Sequence, residues 1–266
     1  MHLVRGLQFD GHLTSSNKHT VARGTISRMH ILLKKLTSLH DISEEEQAAL
    51  LAALTPPYAV MRGEDIVADG STPKHTTVLL SGTACRYTIL RKGKRHIYTF
   101  QYPGDMIDLY SYVMKLVDHA IGALSDCEVA DIPHVKIAEL CAKYPNLAYA
   151  FWRDTMIDTS ILHNWALGGS RNSVERVANL LCEIFVRLRA VGLAKTGTPL
   201  DFNATQHDLA DALGFSLVHV NKTLKVLKTK RLIARRGTKF EILDWNGLQK
   251  IADFNPDYMH FKQSLI

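Results

Sequence analysis

The stretch His207–Ile233, "HDLADALGFSLVHVNKTLKVLKTKRLI", sets two apolar-periodic segments around one glycine and loads the second with lysines but no acid. Thr205 and Asp208, three residues apart, make a capping box that starts a helix whose buried face is Leu209, Ala212 and Leu213. Gly214 can take the left-handed conformation that ends a helix and reverses the chain within few residues. Ser216 then caps a second helix in which Val220, Leu224 and Leu227 bury while His219, Lys222 and Lys225 point elsewhere. A small residue at Ala210, a turn glycine at Gly214 and an apolar lock at Val220 are the spacing of a helix-turn-helix. Arg231-Leu232-Ile233, "RRG" at 235–237 and "KFEIL" after it read as a two-stranded β wing.

Charge placement points the same way. The 266 residues carry a net charge of +6, and 46% of them are apolar, enough for ordinary cores. Between Phe215 and Phe240 lie Lys222, Lys225, Lys228, Lys230, Arg231, Arg235, Arg236 and Lys239 with no Asp or Glu, so this window alone holds +8 and the rest sums to −2. A nearly neutral chain with one concentrated cationic segment suits a polyanion bound at one place. A solvated lysine-rich face is the alternative that charge alone leaves open.

Upstream, residues 1–28 lack sustained periodicity and read as a disordered tail, with Met29 a natural start. "SRMHILLKKL" and "SEEEQAALLAAL" read as helices, the second opened by a Ser43/Glu46 capping box and stopped by Thr55-Pro56-Pro57. From Tyr58 to about Ile132, short alternating stretches are punctuated by Gly63, Gly70, Gly82, Gly93 and Gly104, which suggests an antiparallel roll with a hairpin tip at "RKGKR". "HVKIAELCAKYP" is a short helix. Residues 146–167 carry no Gly or Pro, and Leu147, Phe151, Ile157, Ile161 and Trp165 form an apolar stripe interrupted by Asp154 and Asp158. A helix–helix dimer seam is the preferred reading of that stripe, with packing on the chain's own roll as the other. "GGS" at 168–170 is a hinge, and Val174, Val177, Ala178, Leu181, Ile184, Phe185 and Leu188 mark a clear amphipathic helix before a loop from Gly192 to Pro199. The expected division is α+β: tail 1–28, β-roll sensor domain with flanking helices 29–145, dimerisation helix 146–168, winged helix-turn-helix 169–250 and C-terminal tail 251–266.

In this order of elements the chain resembles the Crp/Fnr (cyclic-AMP receptor protein) superfamily of bacterial transcription regulators over roughly residues 30–250. "LLSGTACRY", "YPGDMIDL", "CEVADIP" and "DLADALGFSLVHVNKTLKVLKTKRLI" carry the resemblance. It implies a cytoplasmic homodimer that binds pseudo-palindromic operators in double-stranded DNA, with RNA polymerase as protein partner. It places Thr205 and His207 on the DNA backbone, Ser216, Leu217, Val218, His219 and Lys222 on reading positions, and Lys225 on a phosphate; Asn221 either faces the DNA or caps packing. The pattern of the family's founding member has Arg and Glu where Leu217 and Val218 stand here, and Arg in place of Lys222; "VHVNKTL" resembles a subgroup pattern instead. Leu and Val offer only apolar contact, for instance to a thymine methyl, so the operator is expected to differ from the family's best-known ones.

The family's cyclic-AMP site needs a Glu in a G-E-L segment and an Arg-Ser pair; these positions align with Asp108-Leu109-Tyr110 and Val117-Asp118. A carboxylate at Asp118 repels a phosphate, so ordinary cyclic-AMP binding is not expected, and an unidentified effector or none remains open. The oxygen-sensing branch uses an N-terminal cysteine cluster, whereas Cys85, Cys127, Cys141 and Cys182 are scattered without a C-x-x-C pair. Structural thiols are expected rather than a redox sensor. His75, His96 and His119 are possible haem ligands, but solvated or core histidines are the commoner case, so no cofactor is expected. A cupin-like metalloenzyme would need H-x-H, and no histidine stands two or four residues from another; P-loop, G-x-S-x-G and G-x-G-x-x-G motifs are missing too. The expectation is therefore not an enzyme, no metal and no membrane span. The rival to a DNA-binding regulator is a signalling adaptor on the same scaffold.

Overall fold

The computed structural model describes residues 28–262. The tail expected over 1–28 lies outside them but for Arg28, which opens α1 (28–39) and pairs with Glu128 at 2.5 Å. In α1, Leu32 and Leu36 are fully buried. The predicted capping box starts α2 (Glu44–Ala52): the Ser43 hydroxyl accepts from Glu46 N, and the Glu46 carboxylate accepts from Ser43 N at 2.8 Å.

The roll is two antiparallel sheets. One runs β1 (Tyr58–Val60), β7 (Cys127–Pro133), β3 (His75–Ser81). The other runs β2 (Asp65–Val67), β6 (Ala120–Ala123), β4 (Ala84–Ile89), β5 (Arg95–Gln101). Val60, Leu79, Ala84, Ile107, Ile121 and Val129 fill the space between. Gly93 turns the β4–β5 hairpin at φ 74, as "RKGKR" implied. Gly82, at φ 92, is required twice over, because a methyl there would also meet Asp126 O at 2.6 Å and the Cys127 sulfur at 2.7 Å.

A short helix α3 (Ser111–Met114) packs against β3. Beyond β7, α4 (His134–Lys143) leads into α5 (Pro145–Ala166), with Pro145 at the helix start where its missing N–H costs nothing. A 3-10 turn (Leu167–Ser170) follows, then α6 (Ser173–Ala190), which lies almost wholly inside the largest core. The C-terminal part is β8 (Leu200–Asp201), α7 (Gln206–Leu213), α8 (Leu217–Thr229), β9 (Ile233–Arg236), β10 (Lys239–Ile242) and α9 (Trp245–Ala252). The stretch read as a C-terminal tail remains packed as far as it is described: a 3-10 turn, Pro256–Met259, lies against α5 with Met259 and Phe261 buried.

The α5 stripe needs correction. Leu147, Phe151, Ile157 and Ile161 are 0–4% exposed, packed on the chain's own roll and on α6, and Trp165 is half-buried against the same core. They are therefore not the free seam expected of them. The interrupting acids face inward for a reason: Asp154 lies 3.0 Å from Lys35 Nζ, and Asp158 accepts from Arg86 at 2.8 Å. The face left open carries Tyr149, Trp152 and Met156 instead.

A buried ion cluster joins the parts. Asp105, in the turn after β5, accepts from Lys35 Nζ of α1 at 2.7 Å through Oδ1. Its Oδ2 accepts from Arg187 Nη2 of α6 at 2.7 Å and from Tyr102 N at 2.8 Å. Arg187 also donates to Phe100 O at 3.0 Å and lies over the Tyr102 ring. Gly104, at φ 98, lets α1 approach; a methyl there would meet Ile31 O at 3.0 Å.

Burial alone would raise the Asp105 carboxyl, but Lys35 and Arg187 outweigh it and hold the group at about 2. A depressed carboxyl stabilises the fold above its unfolded value, near 3.8, and that contribution is lost as pH falls through about 2. Asp105 thus supplies roughly 2 kcal/mol that disappears on acidification from about pH 4. Asp105→Asn should destabilise the protein by about 3 kcal/mol at neutral pH, because two buried cations lose their shared acid and keep only Asp154 and Glu183. Urea unfolding from pH 2 to pH 7 checks both: the variant should show a lower midpoint and a flatter acid branch.

Candidate nucleic-acid interface

The helix-turn-helix forms as its sequence dictates. The Thr205 hydroxyl accepts from Asp208 N, and Asp208 Oδ2 accepts from Thr205 N at 2.7 Å, so both halves of the capping box are made. Gly214 takes the left-handed conformation at φ 67 and closes α7. The Ser216 hydroxyl accepts from His219 N at 3.2 Å and starts α8. Val220, Leu224 and Leu227 are buried, joined by Thr223.

Of the residues expected at the DNA, His207, Ser216, Val218, His219, Asn221, Lys222 and Lys225 are exposed, while Thr205 and Leu217 are half-buried. Val218, 64% exposed on a helix with a full apolar face beneath it, has no packing role, which an apolar base contact would explain. The His219 ring packs on Phe215 with centroids 4.7 Å apart.

The wing has three strands rather than two, in the order β8-β10-β9. Leu200 and Asp201 pair with Phe240 and Lys239 inside the stretch after the expected loop; two residues are too short to show alternation. Lys239 pairs with Asp201 at 2.8 Å. The other seven cations of the 215–240 run make no ion pair among the described residues.

Sequence reasoning passed over Gln206, Arg235 and Thr238. With Thr205, His207, Leu217 and Lys228 they border one shallow depression of about 450 Å³ between the start of α7 and the wing. Arg235 was visible as charge, but its place beside α7 depends on how β9 folds back. Its guanidinium lies 5.0 Å over the Phe240 ring, and burial lowers its pKa.

The roll meets this unit through Arg95 of β5. Its Nε donates to Asp211 of α7 at 2.8 Å, and its Nη2 pairs with Asp208. Burial would raise the Asp208 carboxyl, but hydrogen bonds from Thr205 and Arg95 hold it below the usual range.

A second cavity, about 190 Å³, lies between roll and α5 and is bordered by Arg86, Tyr110, Asp118, His119, Asp154 and Asp158. Its one guanidinium, Arg86, is committed to Ile107 O (2.7 Å) and Asp158 (2.8 Å). Asp118 is exposed and pairs with His119 Nδ1 at 2.9 Å, whereas Val117 is buried. Asp108 is buried and accepts from Thr77 N at 2.7 Å. Burial lowers the His119 pKa, with Asp118 only partly opposing. Among the described residues no three His, Cys, Asp or Glu gather as a metal site, and no helix is long and apolar enough to cross a membrane. The four thiols are free; burial pushes Cys85 up to about 12 and raises the others, which makes them poor nucleophiles.

Comparison with known proteins agrees with this geometry. Residues 175–251 match the Crp-like helix-turn-helix domain, and residues 59–144 match the cyclic nucleotide-binding domain. The nitrogen fixation regulation protein FixK of Azorhizobium caulinodans is 23% identical over 211 residues, covering 77% of this chain and 82% of the relative. The fumarate and nitrate reduction regulatory protein of Escherichia coli is 23% identical over 217 residues, covering 79% and 84%. Among solved structures, FixK2 from Bradyrhizobium japonicum superposes with a TM-score of 0.66 at 21% identity, over 74% of this chain and 96% of that one. The chain belongs to the Crp/Fnr family: it is a transcription regulator with a helix-turn-helix DNA-binding domain, and the relatives it matches are regulators rather than enzymes.

Proposed function

We propose that this regulator binds pseudo-palindromic operators as a homodimer, reading base edges with the N-terminal half of α8. The observation that carries the reading is the run Phe215–Phe240 across α8 and β9, which holds no acid and in which seven cations lack any carboxylate partner among the described residues. Phosphates are the counter-charges that such a surface lacks. Ser216, Leu217, Val218, His219 and Lys222 stand at base edges, with Asn221 beside them. Thr205, His207 and Lys225 stand at the backbone, and we add Gln206, Arg235 and Thr238 to that group on their shared depression. The working division is a roll over 29–145, a connecting helix over 146–168 and a winged helix-turn-helix from 169, with the C-terminal segment to residue 262 folded onto α5.

The dimer seam we propose is the outer face of α5. Tyr149, Trp152 and Met156 recur at i, i+3, i+7, Trp152 is 67% exposed, and Val113 and Met114 of α3 are exposed as well. A second copy covering that face would bury it and hold the two reading helices about 34 Å apart for successive major grooves. Control through the roll would need an effector other than an ordinary cyclic nucleotide, because the one guanidinium of the cavity beside α5 is already satisfied and Asp118 adds negative charge.

DNA selection from genomic fragments should enrich a palindrome with half-sites one helical turn apart. Lys225→Ala should weaken binding to all sequences about equally and reduce the slope of log affinity against log salt by about 0.9, one phosphate contact. Lys222→Ala should also relax base preference. Binding by both variants equal to wild type at every salt concentration would remove α8 from the interface.

Trp152→Asp should leave the monomer folded, since the side chain touches solvent, and should shift sedimentation from dimer to monomer. Leu147→Asp, five residues away on the inner face, should unfold the protein instead. A dimer that survives Trp152→Asp would place the seam elsewhere.

A further inference from the structure

A cleft of about 270 Å³ opens where α5, α6, α7 and β5 meet, at the joint between roll and helix-turn-helix. Arg171, Arg176, His96, Tyr98, Trp165 and Asn179 border it, and no carboxylate does. Arg95, half-buried at the same joint, meets two acids, Asp208 and Asp211. The cleft's two arginines have none among the described residues. Arg171 donates one bond, from Nη1 to Asn164 Oδ1 at 3.2 Å. Asn164 is itself fixed by donating to Asn179 Oδ1 at 3.0 Å and to the Tyr258 hydroxyl at 3.1 Å, so Arg171 is held in place with donors to spare. Arg176 makes no hydrogen bond through its guanidinium to any described residue; it lies 4.6 Å over the Phe215 ring, against buried Gly168. A bound oxyanion would supply the charged acceptor that neither guanidinium finds among the described residues.

We propose that this cleft binds a small aromatic oxyanion, its phosphate or carboxylate held between Arg171 and Arg176 and its ring set against Tyr98 and Trp165. The fork of each guanidinium suits two oxygens of one oxyanion, and the half-buried rings that border the cleft suit a planar group. The volume admits one ring with its charged group rather than a dinucleotide. Occupancy reaches the DNA through one contact chain. Arg176 holds Phe215, in the turn between α7 and α8, and Phe215 packs on His219 at a reading position. An oxyanion that draws on Arg176 alters its hold on the turn. This second step rests on the reading of α8 as the DNA-facing helix; the binding step does not.

The test is calorimetric titration of the full-length protein, without DNA and at constant ionic strength, with phenyl phosphate and with benzoate as probes. Saturable binding of at least one is expected, and the preferred probe distinguishes a phosphate site from a carboxylate site. Arg171→Gln and Arg176→Gln should each weaken it about tenfold or more, the worth of one charge-assisted hydrogen bond, with melting temperature unchanged. Lys225→Ala should bind the probe as wild type does. Phe215→Leu should keep the probe but lose the probe-induced change in DNA affinity that wild type shows. Failure of both probes to saturate at millimolar concentration, or equal binding by the Gln variants, overturns the proposal. If neither probe binds and Arg176→Gln flattens the salt dependence of DNA binding by one contact, these arginines serve the DNA backbone instead. Probe binding by a protein that ignores DNA would leave the cleft standing and remove only the reading of α8.

Discussion

The Asp105 carboxylate is the point on which the arrangement depends. It sits in a four-residue turn and binds a lysine from α1 and an arginine from α6, while a third group, Tyr102 N, saturates it. Each of these charges is fully buried, and a buried ion pair is favourable only when its geometry and hydrogen bonds are complete. Here they are complete because three separate pieces of chain converge on one turn, with Gly104 leaving room for α1. Removing Asp105 takes the shared acid from both cations, so the helix that precedes the roll, the roll and the first helix of the C-terminal unit are tied together at this place. The same acid–base logic recurs one turn away, where Asp154 meets Lys35 and Asp158 meets Arg86 along the inner face of α5.

That logic also explains what sequence reading got wrong about α5. A 22-residue helix with an apolar stripe and two intruding acids reads as a seam because acids rarely enter a core. Their partners, Lys35 and Arg86, are more than 60 residues away in the chain, and nothing local announces them. Once those pairings exist, the acids belong to the buried side, and the stripe containing Leu147, Phe151, Ile157 and Ile161 is consumed within the monomer. The outer face looked weak as a pattern because Tyr149, Trp152 and Met156 are mixed with Arg153, Thr159 and Ser160. A helix with apolar groups on both sides cannot be assigned a partner from periodicity alone.

The helix-turn-helix was legible almost residue by residue, and for a physical reason. Caps, the turn glycine and the i, i+3, i+4 burial of α8 are local constraints, each satisfied within a few residues of the one that imposes it. The hairpin tip at Gly93 and the capping boxes at Ser43 and Thr205 belong to the same class. What escaped was nonlocal: the third wing strand, β8, whose two residues exist as strand only through β10; the packed segment after α9; and Gln206, Arg235 and Thr238, which share a surface only because the wing folds back on α7. The charge run over 215–240 falls on α8 and the wing but could not say which cations face outward.

Asp208 ties the reading unit to the roll more tightly than either domain match suggests. One oxygen completes the cap of α7 by accepting from Thr205, while the other takes the Arg95 guanidinium beside the tip of the β4–β5 hairpin. The start of α7 carries Thr205, Gln206 and His207, the groups we propose for the DNA backbone, so the carboxylate that caps them is also the one the roll holds. Asp211, one turn later on the same helix, takes the second arm of Arg95. A rigid rotation of the helix-turn-helix away from the roll would have to release Arg95 from both acids, leaving Asp208 with its cap but without its cation. The cap alone keeps α7 intact, because its hydrogen bonds are internal to the unit. The reading helix therefore retains its local geometry in either arrangement, and what Arg95 governs is its bearing relative to the roll.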